Sequence, residues 1–328
     1  MELPTLHNQQ KRVVIAGAGF AGIRLAKKLS SKYFQVVLLD KNNYHQFQPL
    51  LYQVATSGLE PSSISFPLRK IFQEHPNVFI RIAEVVSIDA AAKSVHTSVG
   101  EVTYDYLVLA YGAVTNFFGQ ASLQQHSFSM KSVEEALLLR NTLLRQLEEA
   151  LTVSTEAERM ALLNIVVVGG GPTGVELAGA LAEMKSTILP RDYPELNFEQ
   201  MRIYLLEASP RLLGAMSDAS GEKVVQYLTN LGVEVLTGTA VKDFDGQVIS
   251  LSTGTTLHSK CLIWAAGIKG SALPGMPATA FAPNERILVN EYNQVKDMTD
   301  VYALGDIALM QTTDYQRGHP QVAPAAIQ

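Results

Sequence analysis

The chain holds one cysteine, Cys261, in 328 residues. That scarcity excludes an intrachain disulfide, a cysteine-rich zinc site and a paired redox cysteine together. Such usage fits a reducing compartment. Basic charge is also in short supply: 26 Lys and Arg face 31 Asp and Glu, for a formal net charge of −5. No positive field is available to attract nucleic acid, so none is expected as a partner. No uninterrupted apolar run is long enough to span a bilayer. The opening MELPTLHNQQKR lacks the apolar core of a signal peptide. No His, Asp and Glu cluster at metal-ligand spacing, so no metal is expected. What the chain does hold is apolar mass, 47% of residues against 17% charged. That is enough for a sizeable core, and the length suggests about two domains.

Residues 11–40, KRVVIAGAGFAGIRLAKKLSSKYFQVVLLD, organise the rest. The run Val13-Val14-Ile15-Ala16 suits a buried parallel strand. Gly17, Gly19 and Gly22 follow in G-x-G-x-x-G spacing, then a helix with apolar Ile23, Leu25, Ala26 and Leu29, then a second strand over 33–39 ending in Asp40. In a dinucleotide site each part has a task. Gly17 makes the tight turn, Gly19 admits the pyrophosphate, and Gly22 lets helix and strand approach. The helix N-terminus offers a positive dipole end to phosphate, and Asp40 can accept from ribose hydroxyls. A glycine turn in an ordinary βαβ unit would need only part of this order; the terminal acid completes the fingerprint.

After Asp40 the run KNNYHQFQPLLYQVATSGLEP reads as a loop entering a short helix. Tyr44, Phe47 and Tyr52, with Gln46, Gln48 and Gln53, can contact a flat ring. Residue type alone favours aromatics that pack between domains, and His45 reads as a polar loop residue. Residues 78–100 predict a hairpin or meander, 104–112 a strand ending at Gly112, 117–132 a linker and 133–150 a helix. Then the opening pattern returns: NIVVVGGGPTGVELAGAL carries Gly169, Gly171 and Gly174 at the first triplet's spacing, with Pro172 in the first helical turn. MRIYLLE ends in Glu207, and CLIWAAG, closing at Gly267, echoes YLVLAYG. Residues 185–200 read as an insertion. Two fingerprints mean two dinucleotides, or one and a decayed copy. Two dinucleotides most simply exchange electrons, and flavin with nicotinamide is the natural pair. Near the end a strand, VYAL, leads into Gly305-Asp306, a common turn pair that would also suit a ribityl chain.

In this order the motifs resemble the flavoproteins with two dinucleotide-binding domains, over nearly the whole chain. GAGFAG with Asp40 and YALGD match that family's FAD motifs, and GGGPTG with Glu207 matches its nicotinamide motif. The resemblance implies an α/β fold of two Rossmann-like, three-layer domains, the NAD domain inserted in the FAD domain: 10–120 with 280–328 for FAD, 121–279 for NADH. The lone Cys261 disfavours the disulfide-reductase and sulfide:quinone branches. NYHQFQPLLYQVATSGLEP, GGGPTGVELAGAL and HPQVAPAAIQ resemble type II, non-pumping NADH:quinone oxidoreductases, with Pro324 where that family's AQxAxQ pattern has Gln. The resemblance implies hydride transfer from NADH to flavin N5, then two electrons to a membrane quinone. It also implies FAD contacts from Gly17, Gly19, Phe20, Gly22, Asp40, Gln48, Gly112, Gly305, Asp306 and Ala323. NADH contacts fall to Gly169, Gly171, Pro172, Gly174, Glu207 and Gly267, with Glu176 and Gln328 at the chemistry. Glu176 also reads simply as an acid favoured in a first helical turn. An NADH-dependent ferredoxin or rubredoxin reductase shares both fingerprints and is the alternative. VAPAAIQ reads as the start of a helix, so a C-terminally truncated chain is expected, with the membrane met through the absent region. A peripheral place on the cytoplasmic face and a homodimer complete the expectations.

Overall fold

A computed structural model describes residues 1, 3–6, 10–29 and 31–328. The chain forms two compact units. Unit 1 takes Met1–Gln46, Ser65–Val114 and Ile268–Gln328; unit 2 takes Phe47–Ile64 and Thr115–Gly267. The strands of the two parallel sheets are, in chain order, β1 (Lys11–Ala16), β2 (Phe34–Asp40), β3 (Val78–Ile82), β4 (Tyr106–Leu109), β5 (Ile165–Val168), β6 (Ile203–Glu207), β7 (Val233–Thr237), β8 (Cys261–Trp264) and β9 (Val301–Ala303).

In unit 1 the order is β3-β2-β1-β4-β9, and every pair is parallel. In unit 2 it is β7-β6-β5-β8, again parallel. Each unit thus lays its first four strands in the order 3-2-1-4, that of a doubly wound dinucleotide-binding sheet. The order reverses beside the first strand, and ligands bind at the carboxyl ends there.

Alternation along the unit 1 strands sends side chains to two faces. Val13, Ile15, Val36 and Leu38 pack with Ala21 and Ala26 of helix α1 (Phe20–Lys28) and with Leu68 and Phe72. Val14, Ala16, Val37 and Leu39 pack the other way, with Ile88, Val95 and Val102. Those three come from an antiparallel meander, Val85–Asp89, Ser94–Thr97 and Gly100–Thr103. Helix, sheet and meander make three layers. Unit 2 repeats the plan with a meander of Val241–Phe244, Val248–Leu251 and Thr256–His258 between its third and fourth strands.

Three sequence expectations change, and the insertion gains structure. Residues 78–100 are not one meander: Val78–Ile82 joins the parallel sheet, because its neighbour Phe34–Asp40 offers an open edge there. The 117–132 linker contains a helix, Ala121–His126, whose Leu123 is fully buried in the unit 2 core. The insertion at 185–200 is ordered and partly helical. The helix after the second glycine run continues to Thr187, Leu189–Asp192 adds a turn, and Leu189, Leu196 and Phe198 are buried. Residues 47–64, between two unit 1 segments, cluster with unit 2. There helix α2 (Leu51–Ala55) packs on α3 (Val133–Thr152) and α4 (Pro172–Thr187) through buried Leu51, Val54 and Ala55. Among the described residues no helix is long and apolar enough to cross a membrane.

Candidate dinucleotide-binding sites

The two glycine loops are built alike. Gly17 sits at φ 110° and Gly169 at φ 115°, a region that only glycine enters without strain. A Cβ on Gly17 would lie 2.4 Å from the Ala110 carbonyl oxygen, and one on Gly169 2.5 Å from that of Ala265. Ala110 and Ala265 follow the fourth strand of each unit, so the first glycine is where that strand crosses the turn. Gly22 and Gly174 are tighter still: a Cβ on either would lie 1.9 Å from the carbonyl oxygen of Gly17 or Gly169. First and third glycines are therefore required by the fold itself.

The second glycine of each triplet differs. Gly19 has φ −75° and Gly171 φ −76°, backbone that any residue adopts. A Cβ on Gly171 would meet nothing within 4 Å, and one on Gly19 only the Ala110 oxygen at 4.0 Å. No protein contact demands glycine there. The missing side chain clears space at a helix N-terminus, which is what the close approach of a pyrophosphate requires. FAD and NADH fit these cradles on that ground.

Each loop is bound to the acid ending the second strand. Asp40 accepts from the Ala18 N–H at 2.7 Å and the Asn42 N–H at 2.8 Å. Glu207 accepts from the Gly170 N–H at 2.6 Å, and from the Ser209 N–H and hydroxyl, both at 2.7 Å. Both Asp40 oxygens and Glu207 Oε2 keep lone-pair capacity for a ribose hydroxyl, whereas Glu207 Oε1 is taken up by Ser209. Arg211, close in sequence to Glu207, is occupied within its own loop: it pairs with Asp218 and donates to the Gly214 and Met216 carbonyls at 2.8 and 2.9 Å.

In unit 1 the late motif comes back to the first. Gly305, at φ 72°, lies where a Cβ would be 3.3 Å from the Ala21 Cβ and 3.7 Å from the Ala326 Cβ. Helix α5 (Ala323–Ile327) packs on α1, and Gln321 donates to the Asp306 carbonyl at 2.9 Å. Gly17, Gly19, Phe20, Gly22, Asp40, Gly305, Asp306 and Ala323 thus gather around the start of α1, and Gly112 turns at φ 77° just beyond β4. Gln328 caps α5 and is exposed. Gln48 belongs to unit 2, where its amide donates to the Lys131 carbonyl at 3.2 Å.

Gly169, Gly171, Pro172, Gly174 and Glu207 gather at the start of α4. Gly267 lies beyond β8 at φ 153°, where a Cβ would be 3.3 Å from the Phe118 ring. Glu176, in the second turn of α4, reaches solvent; the part that is covered raises its carboxyl pKa by desolvation. Cys261 is fully buried and its thiol is pushed up to about 12, which keeps it out of redox chemistry at neutral pH.

Three groups at the loops carry no sequence signal. His45 reaches the Ala18 carbonyl through Nδ1 at 3.0 Å. The Leu213 N–H reaches the Gly170 carbonyl at 2.8 Å. Leu213 sits at φ 51°, a strain of about 1 kcal/mol that its loop offsets. Arg286 is buried, donates to the Ala308 carbonyl and so anchors the strand that precedes α5; burial lowers its pKa and Asp306 opposes that.

A family model described as pyridine nucleotide-disulphide oxidoreductase matches residues 11–328. The chain is 34% identical over 338 residues to the type II NADH:quinone oxidoreductase Ndh of Mycobacterium tuberculosis, covering 98% of this chain and 70% of that one. It is 31% identical over 318 residues to the external alternative NAD(P)H-ubiquinone oxidoreductase B2, mitochondrial, of Arabidopsis thaliana, covering 92% and 54%. A solved structure of NDH2 from Plasmodium falciparum in complex with NADH superposes with TM-score 0.86 at 25% identity, over 92% of this chain and 65% of that one. The chain therefore spans roughly half to seven tenths of the length of these relatives.

Proposed function

We infer the function from one premise: the chain belongs to the pyridine nucleotide-disulphide oxidoreductase family, and within it to the type II NADH:quinone oxidoreductases. It is a flavin-dependent NADH dehydrogenase whose acceptor is a quinone. The observation that supports this most is the pair of matched cradles, each with a second glycine that the fold does not need. The buried, protonated Cys261 separates the chain from relatives that work through a cysteine pair.

FAD supplies the two-electron carrier between nicotinamide and quinone. The protein binds and orients. Unit 1 is the FAD domain and unit 2, which also takes residues 47–64, the NADH domain. In the first, Gly19 and the start of α1 receive the pyrophosphate, Asp40 the ribose and Asp306 the ribityl hydroxyls. In the second, Gly171 and the start of α4 receive the NADH pyrophosphate, and Glu207 the adenosine ribose. Pro172 at the first helical position forfeits an N–H that the helix could not use anyway. Glu176 positions the nicotinamide side of the reaction, and its raised pKa suits a group that holds a proton. Ala323 and Gln328 line the quinone and flavin end, where Pro324 offers no side-chain amide. The protein works at a membrane surface, on the cytoplasmic face, as a homodimer.

The test is an acceptor screen on FAD-loaded protein, following NADH oxidation. Turnover with a short-chain quinone, and none with ferredoxin-type acceptors, is expected. No quinone-dependent turnover from protein carrying stoichiometric flavin would overturn the reading.

A further inference from the structure

Each glycine loop depends on how one peptide is turned. In a trans peptide the carbonyl and the following N–H point to opposite sides. The Gly170–Gly171 peptide of unit 2 is held by its carbonyl, which accepts from the Leu213 N–H at 2.8 Å. The Ala18–Gly19 peptide of unit 1 occupies the same place, with its carbonyl held by His45 Nδ1 at 3.0 Å. On the other side of each middle residue the N–H goes to the acid: Ala18 to Asp40, Gly170 to Glu207. Each middle residue is therefore held on both sides, its own N–H by the acid and its carbonyl by the clamp, and the Gly19 and Gly171 N–H groups are turned away from the clamps. Neither N–H has a partner among the described residues.

The two loops reach one geometry by different means. Unit 2 uses a backbone amide, which only proline would delete. Unit 1 uses a side chain from the strand Tyr44–Gln46. A carbonyl only accepts, so Nδ1 must carry the proton. The ring stands edge-on to Phe20, centroids 5.1 Å apart at 83°, which fixes its plane. Burial lowers the His45 pKa while the Ala18 bond and Asp40 oppose that, and Nδ1 can donate in either charge state.

We propose that His45 is a positioning residue for the unit 1 dinucleotide: by holding the Ala18 carbonyl it aims the Gly19 N–H at the pyrophosphate. The proposal rests on the reading of unit 1 as the FAD site. Without the bond the Ala18–Gly19 peptide can rotate, and FAD must reorder it on binding. Affinity is lost there while unit 2 is untouched.

The test titrates flavin-free protein with FAD, and separately with NAD+, for His45→Phe, His45→Ala and His45→Asn in the full chain. Phenylalanine keeps a ring against Phe20 but cannot donate. Asparagine places an amide N–H near the Nδ1 position. The FAD Kd should rise about five- to tenfold in His45→Phe and His45→Ala, the loss of one hydrogen bond, and stay within about twofold of the parent in His45→Asn. NAD+ affinity and the melting temperature of the flavin-free proteins should not move. Equal FAD affinity in His45→Phe and the parent would overturn the proposal, as would equal losses in Phe and Asn variants. A parent chain that binds no FAD would instead overturn the reading of unit 1, and the proposal with it.

Discussion

At the scale of single residues, glycines of one triplet separate into two kinds. Gly17→Ala forces a Cβ to 2.4 Å from the Ala110 oxygen at φ 110°, and neither side of that contact can yield. It should cost about 3 kcal/mol or more of stability. Gly19→Ala meets only an atom at 4.0 Å with ordinary backbone. It should leave the melting temperature of the flavin-free protein within about 1 °C while raising the FAD Kd at least tenfold, because the new methyl stands where phosphate must come. Calorimetry and flavin titration on the two variants check this; equal melting temperatures for both would contradict it. Glu207 calls for a second substitution. A 2′-phosphate there would meet a like charge, and Arg211 is too occupied to relieve it. Glu207→Gln should narrow the NADH-to-NADPH ratio in kcat/KM. It should also weaken NADH itself, since one of the donors on Gly170 or Ser209 would then face an amide NH2. Steady-state kinetics with both nucleotides decide. Glu176 yields a pH effect of definite sign. Desolvation raises its folded pKa, so the folded state holds the proton more tightly and stability falls as pH rises from the ordinary carboxyl pKa through the raised one. Glu176→Gln should therefore melt higher than the parent at pH 7 and no higher at pH 4.

At the scale of elements, α3 depends on its first turn. Ser132 accepts from the Glu135 N–H, and Glu135 accepts in return from Ser132 N–H, from Lys131 N–H and from the Ser129 hydroxyl. Ser132→Ala should cost about 1 kcal/mol, whereas Glu135→Ala, which leaves three donors unmet, should cost about 2–3 kcal/mol. Denaturant titration of the two variants measures the difference. Elements are also where sequence reading succeeds and fails for identifiable reasons. Strands such as VVIA and IVVV are legible because burial on both faces leaves a continuous apolar run. The paired triplets are legible because glycine marks backbone that other residues cannot adopt. The Ala121–His126 helix is not legible, since its anchor Leu123 finds its core in distant strands. Nor is the allegiance of residues 47–64, whose Leu51 and Val54 look the same whichever unit they fill. At the site, Asp40 and Glu207 stand out as acids ending strands, while His45 and Leu213 act through carbonyls that composition cannot reveal.

At the scale of the molecule, two compact units with separate sites should answer to separate ligands. A ligand at one hundred times its Kd adds about 2.7 kcal/mol to the unit that binds it. For units of this size that is a rise of about 5–10 °C. FAD should lift one thermal transition and NADH the other, and a scan in which either ligand moved both equally would contradict the assignment of one cofactor to each unit. The path of the backbone through the two units has a further consequence, for synthesis. Unit 1 is built from three stretches, and its strand β9 pairs with β4, Val301 against Leu107, almost two hundred positions earlier. Closing so long a loop is entropically slow, although each doubling of its length adds only about 0.6 kcal/mol. On the ribosome, strands β1 to β4 emerge first and present a bare hydrogen-bonding edge at β4. Unit 2 then has its whole sheet, through Trp264, before β9 is made. The nascent chain therefore passes through a stage in which the later-starting unit is finished and the earlier one still waits, its unpaired edge open to chaperones or to a neighbouring copy.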